Sequence, residues 1–377
     1  MSGSTLRTLA LAVSLALVLT ACGSDGGDDP APSTGGGGTG ATTGPTAPED
    51  ITGTIRLLSY TDGFDPGYLE GFHEQYPNIT IQSSAMGSNE EAIAKLQAGF
   101  EADVVNSCVD EGTLEMVEKG LYAPMDADRL VHWNDLFPSM QDLPGVQEDG
   151  QIYMLPVDAG TAGIIYDADV VEPAPTSWTD LFDPQWQGRA GMEDIAVTAI
   201  MIGALATGIT DPLAMTDEQL QSVKQYLMDH KDQFRTFWKG DPAVKSLFKS
   251  GEIVISSGYP DTAMSLQKEG VNAKFVIASE GQFLWACGYG MTPDVDPENL
   301  DAVYALLNYY ASPEAELYEA ENWNYQVANE KTLEIASPEV IERASLEAPF
   351  DLENAIPASP PPDRAAWVAA WTEVKAS

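Results

Sequence analysis

Between Thr54 and Gly120 the chain switches three times from an extended apolar run to a helical stripe, and that alternation limits the fold more than any other feature. Residues 54–59 (TIRLLS) read as a strand. Asp65-Pro66 then supplies an N-cap with proline at the first helical position, and Leu69, Phe72 and Tyr76 share one helical face before Pro77 stops it. Residues 79–83 are the next strand. Ser88-Asn89-Glu90-Glu91 forms a capping box ahead of the stripe Ile93, Leu96 and Phe100. Residues 102–106 (ADVVN) are a buried strand, followed by a helix around Leu114 and Val117 that Gly120 ends. Such a repeat calls for a parallel sheet with helices on both faces. Ligands of these sheets bind at the carboxyl ends of strands, which singles out the loops 60–64, 87–89 and 107–112.

The middle of the chain repeats the pattern. Residues 163–166, 252–256 and 273–277 read as strands, and 177–182 (SWTDLF) as a short capped helix. An apolar helix is expected over 195–206, and an amphipathic one follows the Thr216/Gln219 cap. Asp296-Pro297 opens a helix through Tyr310, and 364–374 is a C-terminal helix carrying Trp367 and Trp371. Residues 281–291 (GQFLWACGYGM) place Trp285 on an extended run with Cys287 and two later glycines. Taken alone, that stretch reads as a buried strand with a core tryptophan. Flanked by strand–helix repeats, it reads as a crossing between two lobes with Trp285 facing a cleft.

A length of 377 residues suits two domains. Ahead of them, Arg7 precedes an apolar run at 9–19 that is too short to span a bilayer. The run ends Leu19-Thr20-Ala21-Cys22, small residues before a cysteine that resemble a lipobox. Residues 1–22 are therefore expected to be a lipoprotein signal with Cys22 lipidated; a soluble-secretion signal with an incidental cysteine is the competing reading. Residues 23–50, rich in Gly, Ser, Thr and Pro, form a flexible linker. The expected product is exported and held at the membrane only by its lipid.

With 58 acidic and 18 basic residues the formal charge is −40, which excludes nucleic acid and anionic membrane surfaces as partners. The charge either concentrates a cationic ligand or suits a salty habitat. Its even spread along the chain favours the second for most of it.

Enzymatic signatures are sparse. There is no GxSxG and no P-loop, and the one GxGxxG, at 35–40, lies in the linker. His73, His132 and His230 are far apart, so no metal or cofactor is expected. A secreted hydrolase using paired carboxylates is the alternative of another class. The strand-end loops instead carry Tyr60, Thr61, Asp62, Asp110, Glu111, Asp194, Tyr259 and Asp261, with Trp285 and Tyr325 later. Ring faces take methylenes and attract ammonium groups, and carboxylates give them charge-assisted hydrogen bonds. That mixture suits an elongated cationic solute.

The stretches RLLSYTDGFDPGYLEGF, GSNEEAIAKLQAGFEADVV, TSWTDLFDPQWQG, LFKSGEIVISSGY and ASEGQFLWACGYGM resemble the periplasmic polyamine-binding (spermidine/putrescine) receptors of bacterial ABC importers. The resemblance implies a two-lobe, type II-like periplasmic-binding-protein fold in the α/β class. Each lobe would be a parallel-rich sheet flanked by helices, with crossings near 158–160, 285–287 and Glu334. Lobe 1 would hold 51–158 plus 287–334, and lobe 2 159–286 plus 335–377. It further implies no catalysis, an ABC permease as membrane partner, and a monomer.

Residue by residue, the resemblance matches Thr61, Asp62, Trp285 and Tyr325, places tyrosines for tryptophans at 60 and 259, and assigns Asp194 to amine binding. Val197 and Cys287 stand where the family has acids. Asp110, Glu111, Asp158 or Asp261 would have to replace them, or the ligand is another solute: a betaine, thiamine, an amino-acid derivative or a metal chelate. The same alignment brings Cys108 beside Cys287. In an exported protein these are expected to form a disulfide, two buried free thiols being the alternative.

Overall fold

Two long strands, Leu155–Asp167 and Gln282–Met291, run through the centre of the molecule and belong to both of its halves. They pair antiparallel, from Phe283 opposite Ala162 to Tyr289 opposite Leu155. Every residue of Gln282–Met291 is buried, as its near-continuous apolar sequence requires. The computed structural model describes residues 47–344, 346 and 355–377, so the expected signal segment with Cys22 and nearly all of the linker lie outside the described residues.

Three parallel strands extend the sheet on one side, in the order Val104–Cys108, Gly53–Ser59, Ile79–Ala85. On the other side lie Ile255–Gly258, Ala190–Glu193 and Phe234–Trp238, again parallel to one another. The result is one curled mixed sheet carrying two lobes. Each lobe has its own core. One gathers Ile55, Leu57, Val104, Leu155 and Tyr310; the other gathers Ile164, Trp178, Met192, Trp367 and Trp371.

The changeover between cores falls within two residues. Ala159 and Leu284 belong to the first core, Ala162 and Phe283 to the second. At this point Gly160 lies opposite Trp285, and a Cβ on residue 160 would come within 2.5 Å of the indole. Only glycine leaves room for the ring there.

The helices form where capping and periodicity place them. Ser88 accepts from the Glu91 amide at 3.3 Å, while the Glu91 carboxylate turns back to the Gly87 amide at 3.0 Å. Ala196–Ala206 is apolar all round because it is covered on all sides, packing on helices Asp217–His230 and Arg364–Ala376 as well as on the sheet side. Arg364, at the start of the last helix, pairs with Glu90 at 3.1 Å and with Glu115, both on the opposite lobe.

Three local details stand beside the expected pattern. The segment after Asp65 is first a turn, with Asp65 Oδ1 accepting from Gly67 and Tyr68, and becomes helical only at Glu70. Strands Ala190–Glu193 and Phe234–Trp238 carry no alternating pattern that would announce them. The resemblance puts a third crossing near Glu334. Val340, Ala344 and Leu346 still pack with Ala320 and Val327 of the first lobe, and burying them there keeps the chain on that side.

Candidate functional site

The parallel strands of both lobes point their carboxyl ends at the central pair, so their loops converge. Strand Gly53–Ser59 delivers Tyr60, Thr61 and Asp62, and Val104–Cys108 leads to Glu111. From the other lobe, Ala190–Glu193 ends in Glu193, and Ile255–Gly258 leads to Tyr259 and Asp261. The central strands contribute Asp158, Trp285 and Cys287, and Tyr325 sits just before the short strand Gln326–Val327. Together they line one cavity of ≈ 470 Å³.

At one end two tyrosine–carboxylate pairs face each other across the lobes. The Tyr60 hydroxyl donates to Glu111 at 2.9 Å, and the Tyr259 hydroxyl donates to Glu193 at 2.5 Å. Trp285 forms the wall beside them, edge-on to Tyr259 at 6.1 Å between centroids and to Tyr325 at 4.8 Å. A second acidic group, Asp62, Asp158 and Asp261, acts on Tyr325, whose hydroxyl is 3.5 Å from Asp62. Asp241 is already engaged, ion-paired with Lys245 and accepting from Thr262 at 2.8 Å.

These acids are costly in an empty cavity. Burial, reinforced by Asp241, raises Asp62 to about 6. Burial and the neighbouring Asp62 raise Asp158 to about 8. Glu193 also rises to about 8, from burial offset by its Tyr259 bond. Burial lifts Glu111 and Asp261 well above the carboxylate range, with Asp110 adding to the first and Asp241 to the second. Asp158 Oδ1 and Asp261 Oδ1 have no hydrogen-bond partner, nor has Trp285 Nε1. A cavity with spare acceptors, aromatic faces and few cations can hold a positively charged organic guest, whose ammonium groups would restore charge to the acids. Among the described residues, no group of three or more His, Cys, Asp or Glu is placed to hold a metal ion.

Of the residues expected from sequence, Tyr60, Thr61, Asp62, Glu111, Tyr259, Asp261, Trp285 and Tyr325 all border this cavity. Asp194 does not. Its Oδ1 accepts from Trp371 Nε1 at 2.7 Å and Lys375 Nζ at 2.5 Å, which ties the last helix to the second lobe. The acid that reaches the cavity is its neighbour Glu193, since consecutive residues leaving a strand point to opposite sides. Asp194→Ala is accordingly expected to leave ligand affinity within about twofold while costing about 1–3 kcal/mol of stability. Thermal melting and calorimetry on the one variant check both halves.

Cys108 and Cys287 are disulfide-bonded, directly opposite in the antiparallel ladder with Cα atoms 4.0 Å apart. On its other side Cys287 lies opposite Asp158, so a carboxylate is present across the strand from the position where the resemblance expects one. Val197 is buried in the second core. Sequence patterning does not single out Glu193, Asp241, Glu319 or Trp323, which also line the cavity. Only the end of the unrecognised strand could have pointed to Glu193.

The family described as "Bacterial extracellular solute-binding protein" matches residues 67–348. The chain is 25% identical over 301 residues to the spermidine/putrescine-binding periplasmic protein of Escherichia coli K12, covering 77% of this chain and 82% of that one. It is 24% identical over 346 residues to the putrescine-binding periplasmic protein PotF of the same organism, covering 85% and 91%. Its fold matches the TpPotD lipoprotein of Treponema pallidum with a TM-score of 0.69 at 17% identity, over 85% of this chain and 99% of that one.

Proposed function

Because the chain belongs to the bacterial extracellular solute-binding proteins, receptors rather than enzymes, we propose that its solute is a linear, multiply charged amine of the polyamine class, handed to an ABC permease. The observation that carries this is the placement of two carboxylate groups at opposite ends of one aromatic wall. Glu111 and Glu193 act on Tyr259, Asp62, Asp158 and Asp261 act on Tyr325, and Trp285 touches both tyrosines. Two separated ammonium groups joined by methylenes match that pattern; a singly charged betaine leaves one acidic group unanswered. The names of the Escherichia coli relatives point the same way.

The same reading has the lobes closing on the ligand about the central strands. The first is 51–159 with 284–346, moved from 158, 287 and Glu334 for the core packing given above, and the second is 160–283 with 355–377. It also holds that export and lipidation at Cys22 keep a monomeric receptor near its permease.

Calorimetry with putrescine, spermidine, a betaine, thiamine and amino acids tests the ligand class, the first two being expected to bind. Trp285→Ala is expected to weaken the better amine at least about 100-fold, because ring contact and closure are lost together. The unliganded melting point should move by only about 2 °C, since truncation enlarges an existing space instead of opening a new one. A drop well beyond about 5 °C with binding retained would return Trp285 to the core.

A further inference from the structure

The cavity does not end at Asp158. It continues to Glu319, on helix Pro313–Asn322, and is bordered there by Tyr318, Asn322 and Trp323. None of these has a place in the two-ended arrangement above. Glu319 is only 2% exposed, yet its Oε2 has no hydrogen-bond partner. Around it the rings form a box: Tyr68 lies 5.1 Å from Trp323 and 5.7 Å from Tyr318, and Tyr318 lies 5.6 Å from Trp323. The box is continuous with the main site, because Trp323 lies 5.7 Å from Tyr325. The aromatic track therefore runs Tyr259, Trp285, Tyr325, Trp323, with acids at both ends and near the middle.

Resting on the polyamine reading above, we propose that Glu319, with Tyr318 and Trp323, is a third ammonium subsite that selects a linear triamine over a diamine. An acidic side chain held in an aromatic enclosure gives an ammonium group both a charge-assisted acceptor and ring faces. A buried carboxylate supported by no more than the Tyr68 hydroxyl is expensive to keep unless a cation arrives to pair with it. A diamine spans the first two acidic groups and leaves Glu319 unanswered. A triamine answers all three.

The test is calorimetric titration of the full-length native protein and of Glu319→Gln with putrescine and with spermidine. Native protein is expected to bind spermidine at least about tenfold more tightly, the size of one charge-assisted hydrogen bond. In Glu319→Gln that preference should shrink to about threefold or less, through loss of spermidine affinity with putrescine changed less than about twofold, and Glu319→Asp should restore part of it. Equal weakening of both amines, or no change in either, overturns the third subsite while leaving the polyamine reading in place. Native protein that binds neither amine overturns that reading itself. Should the glutamine variant fail to fold, native protein with no preference between the two amines still overturns the subsite.

Discussion

Raising the pH from 5 to 8 is expected to tighten amine binding by at least about 100-fold while making the empty protein less stable. The cause is the set of carboxyls whose affinity for protons is raised by burial: Asp62 to about 6, and Asp158 and Glu193 to about 8. In an empty cavity at pH 5 they hold their protons. An ammonium group needs them ionised, so binding expels protons, and affinity climbs up to about tenfold per pH unit for each proton released. Alkyl ammonium groups, with ordinary values near 10, stay charged across this window.

The sign for stability is opposite. A folded-state value above the unfolded one means the native cavity binds the proton more tightly. The resulting stabilisation is complete below the unfolded carboxylate range, near 4, and is lost as pH rises through 6 to 8. Asp135 beside Lys331, and Glu91 beside Lys95, are held below the usual range and oppose this trend on the acid side. They lie at the surface and contribute less. The unliganded melting point should fall by about 5 °C or more between pH 5 and 8, and saturating amine should recover more of it at pH 8 than at pH 5. Affinity that stays flat across this range would mean the buried acids do not meet the ligand.

Removing the bridge is expected to have the second large effect. Cys108 and Cys287 are 179 residues apart, so their bond closes about half of the chain into one loop. The chain-entropy argument gives about 5 kcal/mol for a loop of that length, and measured bridges give about 2–5. The double variant Cys108→Ser with Cys287→Ser should therefore melt about 3–7 °C lower. It should also bind amine less tightly, because the bridge packs with Trp285 and Tyr325 in one cluster at the cavity wall. Thiol counting on denatured, unreduced protein supplies the direct check: neither Cys108 nor Cys287 should react. A melting point that moves by less than about 3 °C would remove the bridge from any account of stability.

The loops at strand ends were legible from sequence because periodicity fixes where a parallel strand stops, and topology then fixes where its loop faces. Tyr60, Asp62, Glu111 and Tyr259, which that reasoning put at strand ends, all border one cavity, while Asp194 lies outside its lining and Glu193 inside it. The strand before Asp194, Ala190–Glu193, is four residues long and reads Ala-Gly-Met-Glu, too short and too small to show alternation. Without its register, nothing distinguishes the acid facing the cavity from the acid facing Trp371. Glu319 was hidden for another reason. It shares a helix with Glu314, Glu316 and Glu321, and in a chain with 58 acids no local pattern marks one as buried. Only Tyr68, arriving from a distant segment to complete the box with Tyr318 and Trp323, reveals it.

Both lobes hang from the same pair of hydrogen-bonded strands, and Gly160 and Trp285 meet where those strands pass from one core to the other. On the closure proposed above, gaping would flex a ribbon and not swing on slack chain, and the ribbon that bends would be the one that carries the indole.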